Sequence, residues 1–488
     1  MAMSTIKKQL ASGVFYNAIA KYTGVLISIV ITGILSRLLT PEDYGTVVPI
    51  TVLITFFTIL GDIGIGPAII QSKELSKEEI NSLFSFTVFV GGGLSVLFFS
   101  SSWLIAKVYD SSILIVLCQL LSITLLFSCA NVVTNALLFK ARLFKYLAIR
   151  SLVVQTVAGT IAIIAAYWGA GVYALVIQTL ISSICFFFIS YMKNPLKLCF
   201  RKIEWSALGK IRDFSSYQFL FDILNYFSVN LDKLLISKYI GVNQLGYYDK
   251  SYKLMQMPMQ NIPFIITPVM HPIFSEMQND LNKMCIYYSK VVRFLAFVGF
   301  PLSILLFFSG KELIYIVFGT QWEASVPAFK ILVLSVGFQI ILSTSGSIFQ
   351  SAGVTKLLFL SGVLSTIVIV IAVMIGLLFF GTIEAVSFSL LCAFIINFFQ
   401  AYIIMYCKLF RIGLKIFIKN LLSPLLLTAI LAGILFFITL STTQLDNFSS
   451  LFIKGSMACI ISVVYIQFTG EYNFILKAKD IMTKFLNK

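Results

Sequence analysis

Charge is what this sequence has least of. Only 11% of its 488 residues are Asp, Glu, Lys or Arg, 59% are hydrophobic, and mean hydropathy is +0.96. A soluble domain carries about a quarter charged residues, so lipid must be the solvent for most of this surface. Histidine is nearly missing as well, with His271 alone. The eight cysteines (Cys118, Cys129, Cys185, Cys199, Cys285, Cys392, Cys407 and Cys459) are scattered without CxxC spacing. Most fall in apolar runs, where a cysteine is a small packing residue. Metal and redox chemistry are thereby disfavoured, and no cofactor is expected. Long outer loops are lacking too, which leaves no exposed acid/base cluster for a membrane enzyme.

Long apolar runs are abundant. A bilayer-spanning helix needs about 20 apolar residues, and on that criterion the chain holds about fourteen spans. The first covers 14–36, the sixth 172–192 and the last 451–469. The seventh, 214–238, is polar, and the eighth, 252–275, holds Pro258, Pro263, Pro268 and Pro272. The first run follows Lys7 and Lys8, exceeds a signal-peptide core and shows no small-residue cleavage site, so it reads as a retained span. With the N-terminus in the cytoplasm, most of the 36 Lys and Arg fall on inside segments. This predicts a multi-pass all-α membrane protein with both termini cytoplasmic. The formal charge of +16 is spread over short loops, not gathered on one face, which excludes nucleic acid as a partner.

The basic loop 193–213 lies between spans six and seven and reads as a cytosolic linker, with an amphipathic segment as a further option. It divides an N-lobe, 1–192, from a C-lobe, 214–410. Residues 411–488 hold two more spans and a tail. Six-plus-six halves with both ends inside imply parallel repeats. At a fixed offset of 201 residues, SRLLTPEDYG (36–45) lies over SKYIGVNQLG (237–246), pairing Ser36 with Ser237, Arg37 with Lys238 and Gly45 with Gly246.

Polar residues inside the spans are the candidate translocation residues. In span one, Asn17, Lys21, Gly24, Ser28 and Thr32 form a stripe at helical spacing. In span seven, Gln218, Asp222, Asn225 and Lys233 form another, with Asp232 beside it. The same offset sets Asn17 over Gln218 and Lys21 over Asp222. A charge at mid-bilayer costs at least ~2.5–3.5 kcal/mol and so faces a wet cavity or a partner. Two arrangements satisfy these groups: a buried ion pair of Lys21 with Asp222 or Asp232, or a hydrated cleft lined by all of them. Lys253, Gln256 and Gln260 add a polar face to span eight. Asn131 and Asn135, one turn apart, suit an interhelical hydrogen bond or a ligand contact. His271, between two prolines, is a helix-end residue or a proton relay. Lys454, near the outer end of the last span, reads as a snorkelling side chain.

Four stretches, LSRLLTPEDYGTV (35–47), GDIGIGPAIIQ (61–71), NLDKLLISKYIGVNQLGYYDKSYKLMQMP (230–258) and FGTQWEASVPAFKIL (318–332), carry a resemblance over nearly the whole chain. They resemble the Wzx-type polysaccharide flippases of the multidrug/oligosaccharidyl-lipid/polysaccharide (MOP) exporter superfamily. The resemblance implies a MATE-like fold of two six-helix lobes in a V with two extra C-terminal helices. It also implies alternating access and, as substrate, a polyprenyl-pyrophosphate-linked oligosaccharide. The product would feed O-antigen, capsule or other surface polysaccharide, beside a polymerase and glycosyltransferases. Proton or sodium coupling through Asp222 or Asp232 is a further expectation. A multidrug or cation antiporter of the related extrusion family is the alternative that these two carboxylates would favour.

Overall fold

The computed structural model describes residues 2–72, 75–198, 223 and 225–470, with backbone alone at 2–18, 20, 264, 265, 267–269, 271 and 272. Every regular element among the described residues is helical. The first part comprises α1 (Ala2–Leu38), α2 (Pro41–Asp62), α3 (Ile65–Gln71), α4 (Lys77–Val108), α5 (Ile113–Lys140), α6 (Phe144–Tyr167) and α7 (Val172–Lys193). Helix α8 is described over 225–239. It is followed by α9 (Val242–Ser275), α10 (Leu281–Phe308), α11 (Gly310–Val317), α12 (Ser325–Val333), α13 (Val336–Leu342) and α14 (Ser345–Ser351). The chain continues through α15 (Thr355–Ile375), α16 (Ile383–Ile403), α17 (Lys415–Ser441) and α18 (Asn447–Phe468).

Eleven helices among the described residues are long and apolar enough to cross a membrane, and α12 with α13–α14 makes a twelfth, bent by 45°. The two segments singled out in the sequence as polar and proline-rich, α8 and α9, are not among them. Large apolar side chains stand outward along the spans, such as Phe379 at 77% exposure and Phe437 at 68%. An exterior of this kind requires a hydrocarbon solvent.

The residues form two compact units, Met1–Asp249 with Val317–Gly319, and Lys250–Ile316 with Thr320–Lys488. In the first unit, α5 is central and packs against α2, α3, α4 and α7, while α1 packs on α6. Small residues set the spacing: a Cβ added at Gly61 would lie 2.3 Å from Cys129 Sγ, and one at Gly91 would lie 2.6 Å from Cys129 Cβ. Two glycines and one buried cysteine thus let three helices meet, the usual solution where lipid offers no hydrophobic driving force.

In the second unit, α10 is central and packs against α12, α13, α17 and α18. The break before α13 leaves a backbone N–H to satisfy. The Gly337 N–H donates to Ser303 Oγ of α10 at 2.7 Å, so irregular backbone inside the membrane stays hydrogen-bonded. Next to it, Gly299 and Gly337 bring the two backbones together, a Cβ at Gly299 falling 3.1 Å from Gly337 Cα.

Lys454 departs from the snorkelling expectation. It is buried at 1% exposure and pairs with Glu312 of α11, while also donating to the Phe308 carbonyl at 3.0 Å. Ser450 Oγ donates to the same Glu312 carboxylate at 2.8 Å. The ammonium does not reach for water because a carboxylate 142 positions away in sequence is folded against it. Breaking such a pair leaves a buried charge and costs about 3–5 kcal/mol, whereas replacing both partners by apolar groups is close to neutral. Lys454→Met is therefore expected to lower the thermal unfolding midpoint of the purified protein sharply, and Lys454→Met with Glu312→Leu to recover most of it.

Outside the spans, Asp446 caps α18. Bonds from Ser449, through its side chain and backbone, and from the Phe448 N–H hold the Asp446 carboxyl below its ordinary value. A depressed folded value contributes stability above the unfolded pKa and loses it as pH falls through the folded one. Acid unfolding monitored by intrinsic fluorescence is expected to lose part of its pH dependence in Asp446→Ala.

Candidate functional site

The two repeated segments fold against each other. In the first copy, the Leu39–Thr40 link joins α1 to α2 through a capping box. Thr40 Oγ1 accepts the Asp43 N–H at 3.2 Å, and the Asp43 carboxylate accepts the Thr40 N–H at 2.9 Å and its hydroxyl at 2.8 Å. Pro41 occupies the start of α2, where its missing N–H costs nothing. The second copy turns differently. Thr40 corresponds to Gly241, whose φ of +115° is a conformation that only glycine adopts readily.

The turns then cross at glycines. A Cβ added at Gly45 would lie 1.7 Å from the Val242 carbonyl oxygen, and one at Gly246 would lie 2.0 Å from the Pro41 carbonyl oxygen. The offset that carries Gly45 onto Gly246 also carries Pro41 onto Val242. The contact is therefore reciprocal: each copy sets its glycine on the other's first helical carbonyl. That is the signature of an isologous interface, here between two like segments of one chain.

The basic residue before each turn reaches across in the same swapped manner. Arg37 Nη1 donates to the Gly33 carbonyl at 3.0 Å and to the Val317 carbonyl at 3.1 Å. Its partner position, Lys238, places Nζ 3.0 Å from the Asp110 carboxylate. Asp110 lies in the α4–α5 connection, and Val317 ends α11 in the α10–α12 connection. Four connections that the alternating topology assigns to one side of the membrane thus meet in one clasp. The Lys238–Asp110 pair is open to solvent, 38% and 81% exposed, and such pairs contribute about 0–1 kcal/mol. It orients the clasp without locking it. Further along, α8 lies on α2: the Tyr226 hydroxyl donates to the Val52 carbonyl at 2.5 Å, and the Phe227 and Phe56 rings are 5.1 Å apart.

The candidate translocation residues divide into several environments. Lys21 is half-buried on α1. Three residues on, the Gly24 carbonyl accepts from Gln155 Nε2 of α6 at 3.1 Å, so that edge of the stripe faces a neighbouring helix. Asp232 is buried at 4% exposure, and its carboxylate accepts the Tyr248 hydroxyl at 2.5 Å and the Lys233 N–H at 2.8 Å. Lys233 Nζ donates to Asn230 Oδ1 at 3.2 Å. Asn225 and Lys253 are exposed, and Gln256 is half-buried. Gln218 and Asp222 lie outside the described residues, as do the side chains of Asn17 and His271.

Several buried charges, Arg150, Asp249 and Lys250 among them, were not singled out by sequence reasoning. Helix α6 begins at Phe144 and carries Arg150 inward to 8% exposure. Its guanidinium donates to Ser190 Oγ at 2.5 Å and to Asn135 Oδ1 at 2.9 Å, and lies 5.1 Å from the Phe186 ring centre. Asn135 thus makes the interhelical bond its spacing suggested. The signal available in the sequence was Ser190 on the sixth span, a polar residue among aromatics with no other evident task.

The glycine crossing tolerates no side chain, so Gly45→Ala and Gly246→Ala are each expected to separate the turns. In a background with exposed Cys392, Cys407 and Cys459 replaced by Ser, a short thiol-to-thiol reagent should join Asp110→Cys to Lys238→Cys efficiently. The yield should fall severalfold when either alanine is added. An unchanged yield would mean the clasp does not depend on the crossing.

Comparison with known proteins places this geometry. A family model described as "Polysaccharide biosynthesis protein" matches residues 34–327, more than half the chain. The teichuronic acid biosynthesis protein TuaB of Bacillus subtilis is 26% identical over 482 residues, covering 94% of both chains. The lipopolysaccharide biosynthesis protein WzxC of Escherichia coli is 23% identical over 460 residues, covering 93% of this chain and 90% of its own. Among solved structures, the lipid II flippase MurJ in an inward closed conformation superposes with a TM-score of 0.75 at 16% identity, over 93% of this chain and 98% of that one. The fold is that of the MOP exporters, and the chain belongs to the polysaccharide biosynthesis protein family, among its Wzx-type transporters.

Proposed function

We propose that this protein flips polyprenyl-pyrophosphate-linked oligosaccharide from the inner to the outer leaflet of the cytoplasmic membrane, supplying a surface polysaccharide. The observation that carries this reading is the reciprocal clasp. Two like segments, one from each half, close one end of the first unit through a glycine contact and two swapped basic arms. The excess of Lys and Arg on the opposite loops supports an outer location for that end, with both termini in the cytoplasm. A transporter shut outside would accept its substrate from the cytoplasm, where lipid-linked oligosaccharides are assembled. The names of TuaB and WzxC, both biosynthetic proteins for surface polymers, support the substrate class.

In this mechanism the lobes 1–192 and 214–410 rock, and parting of the clasp releases the sugar head outward. Lys21 meets the pyrophosphate while the polyprenyl tail stays in lipid. Outward movement of an anion across an inside-negative membrane is favourable by about 2.3 kcal/mol per charge per 100 mV. A proton or sodium ion returning through Asp222 or Asp232 resets the cycle. Glycosyltransferases supply the substrate and a polymerase takes the product.

The test is a flipping assay in proteoliposomes with a polyprenyl-pyrophosphate oligosaccharide. Cross-linking Asp110→Cys to Lys238→Cys with a cleavable reagent is expected to stop flipping, and cleavage to restore it. Lys21→Ala is expected to slow flipping at least tenfold, on the scale of one lost intramembrane charge contact. Transport that continues through the cross-linked clasp would overturn the mechanism. A deletion strain that keeps its surface polysaccharide but becomes drug-sensitive would overturn the substrate.

A further inference from the structure

We infer that the second unit carries a separate binding site for the head group of an anionic, phosphate-bearing lipid, in the pocket between the beginnings of α10 and α17. The cavity is about 460 Å³, within the range of small-ligand sites. Its walls are of two kinds. Lys290, Arg293, Asn282 and Asn420 supply hydrogen-bond donors, while Ile286 and Ile416, 61% and 48% exposed, form an apolar rim. Donors inside and hydrocarbon at the lip is the arrangement an amphiphile needs.

Charge along the two segments that wall the pocket has one sign. Residues 281–293 hold Lys283, Lys290 and Arg293 and no acid, and residues 408–420 hold Lys408, Arg411, Lys415 and Lys419 and no acid. The nearest carboxylate in sequence, Asp280, is engaged as the cap of α10, accepting the Lys283 N–H at 2.9 Å. Both helices begin at this end, so their dipoles add positive potential. Asn420 adds a more specific sign. Its Nδ2 is buried without a hydrogen-bond partner, although Asn420 lines the cavity. A buried donor without an acceptor is costly, and a phosphate oxygen in the pocket would satisfy it. Basic pockets between transmembrane helices are a known kind of site for acidic head groups. Floor rigidity comes from an aromatic cluster behind it, where Tyr406 bonds Ser289 at 3.0 Å and packs 5.3 Å from Phe417.

The site lies wholly in the second unit and depends on neither the polarity nor the substrate proposed above. Phosphatidylglycerol titrated onto the purified full chain, with retained lipid counted by native mass spectrometry, tests it. Lys290→Gln with Arg293→Gln is expected to reduce retention about tenfold, whereas Lys408→Gln with Arg411→Gln, an equal loss of charge outside the pocket, should change it by less than about twofold. Lys290→Arg should retain the lipid, showing that the pocket survives substitution. Equal losses from the two pairs would assign binding to diffuse surface charge and overturn the site. Displacement of phosphatidylglycerol by a polyprenyl pyrophosphate would give the pocket to the transported lipid and overturn the assignment to a bilayer phospholipid.

Discussion

Everything at the clasp depends on two peptide backbones approaching closer than any side chain allows. Gly45 and Gly246 have no Cβ, and each fills the missing volume with a carbonyl of the other copy. The contact is small in area and made of main-chain atoms, so it gains little from hydrophobic burial. What it gains is definition, because two glycines that each seat on the other copy's carbonyl can meet in only one register. An interface of that sort is sharply defined when formed and weak enough to part.

The charges away from the clasp show how differently one chain manages the same expense. Lys454 is neutralised by a carboxylate, a hydroxyl holding that carboxylate in place. Asp232 is held by a tyrosine hydroxyl and a backbone N–H. Arg150 is surrounded by neutral oxygens and an aromatic face. Each group is hydrogen-bonded, as buried charges must be, but only the first is an ion pair. The distinction matters because a charge held by neutral groups keeps its field, and an ion pair largely cancels it.

Much of this was legible in the sequence, and the reasons are instructive. Long apolar runs fixed the helices, since a bilayer permits little else. The offset that aligned Gly45 with Gly246 rested on few identities, yet it marked the residues that touch, because a symmetric contact needs like residues at matched positions. Composition could not reveal partners distant in the chain. Lys454 looked like a snorkelling residue because nothing local distinguishes it from one, and Glu312 is far away in sequence. Arg150 drew no notice because a basic residue near a span's end marks either a loop or a helix start, and only the fold shows that α6 starts at Phe144. Loop and helix differ there by the presence of Ser190 and Asn135, which only the fold brings together.

The bend between α12 and α13 has a consequence for how this protein can vary. Ser303 and Gly337 sit on different helices, but the hydroxyl of one completes the backbone of the other. Neither residue is free to drift alone: a bulkier 337 meets Phe300, and an apolar 303 strands an amide inside the bilayer. Descendants of this gene should therefore keep the two together or exchange both at once, so the kink would be inherited as a pair of codons and not as a shape.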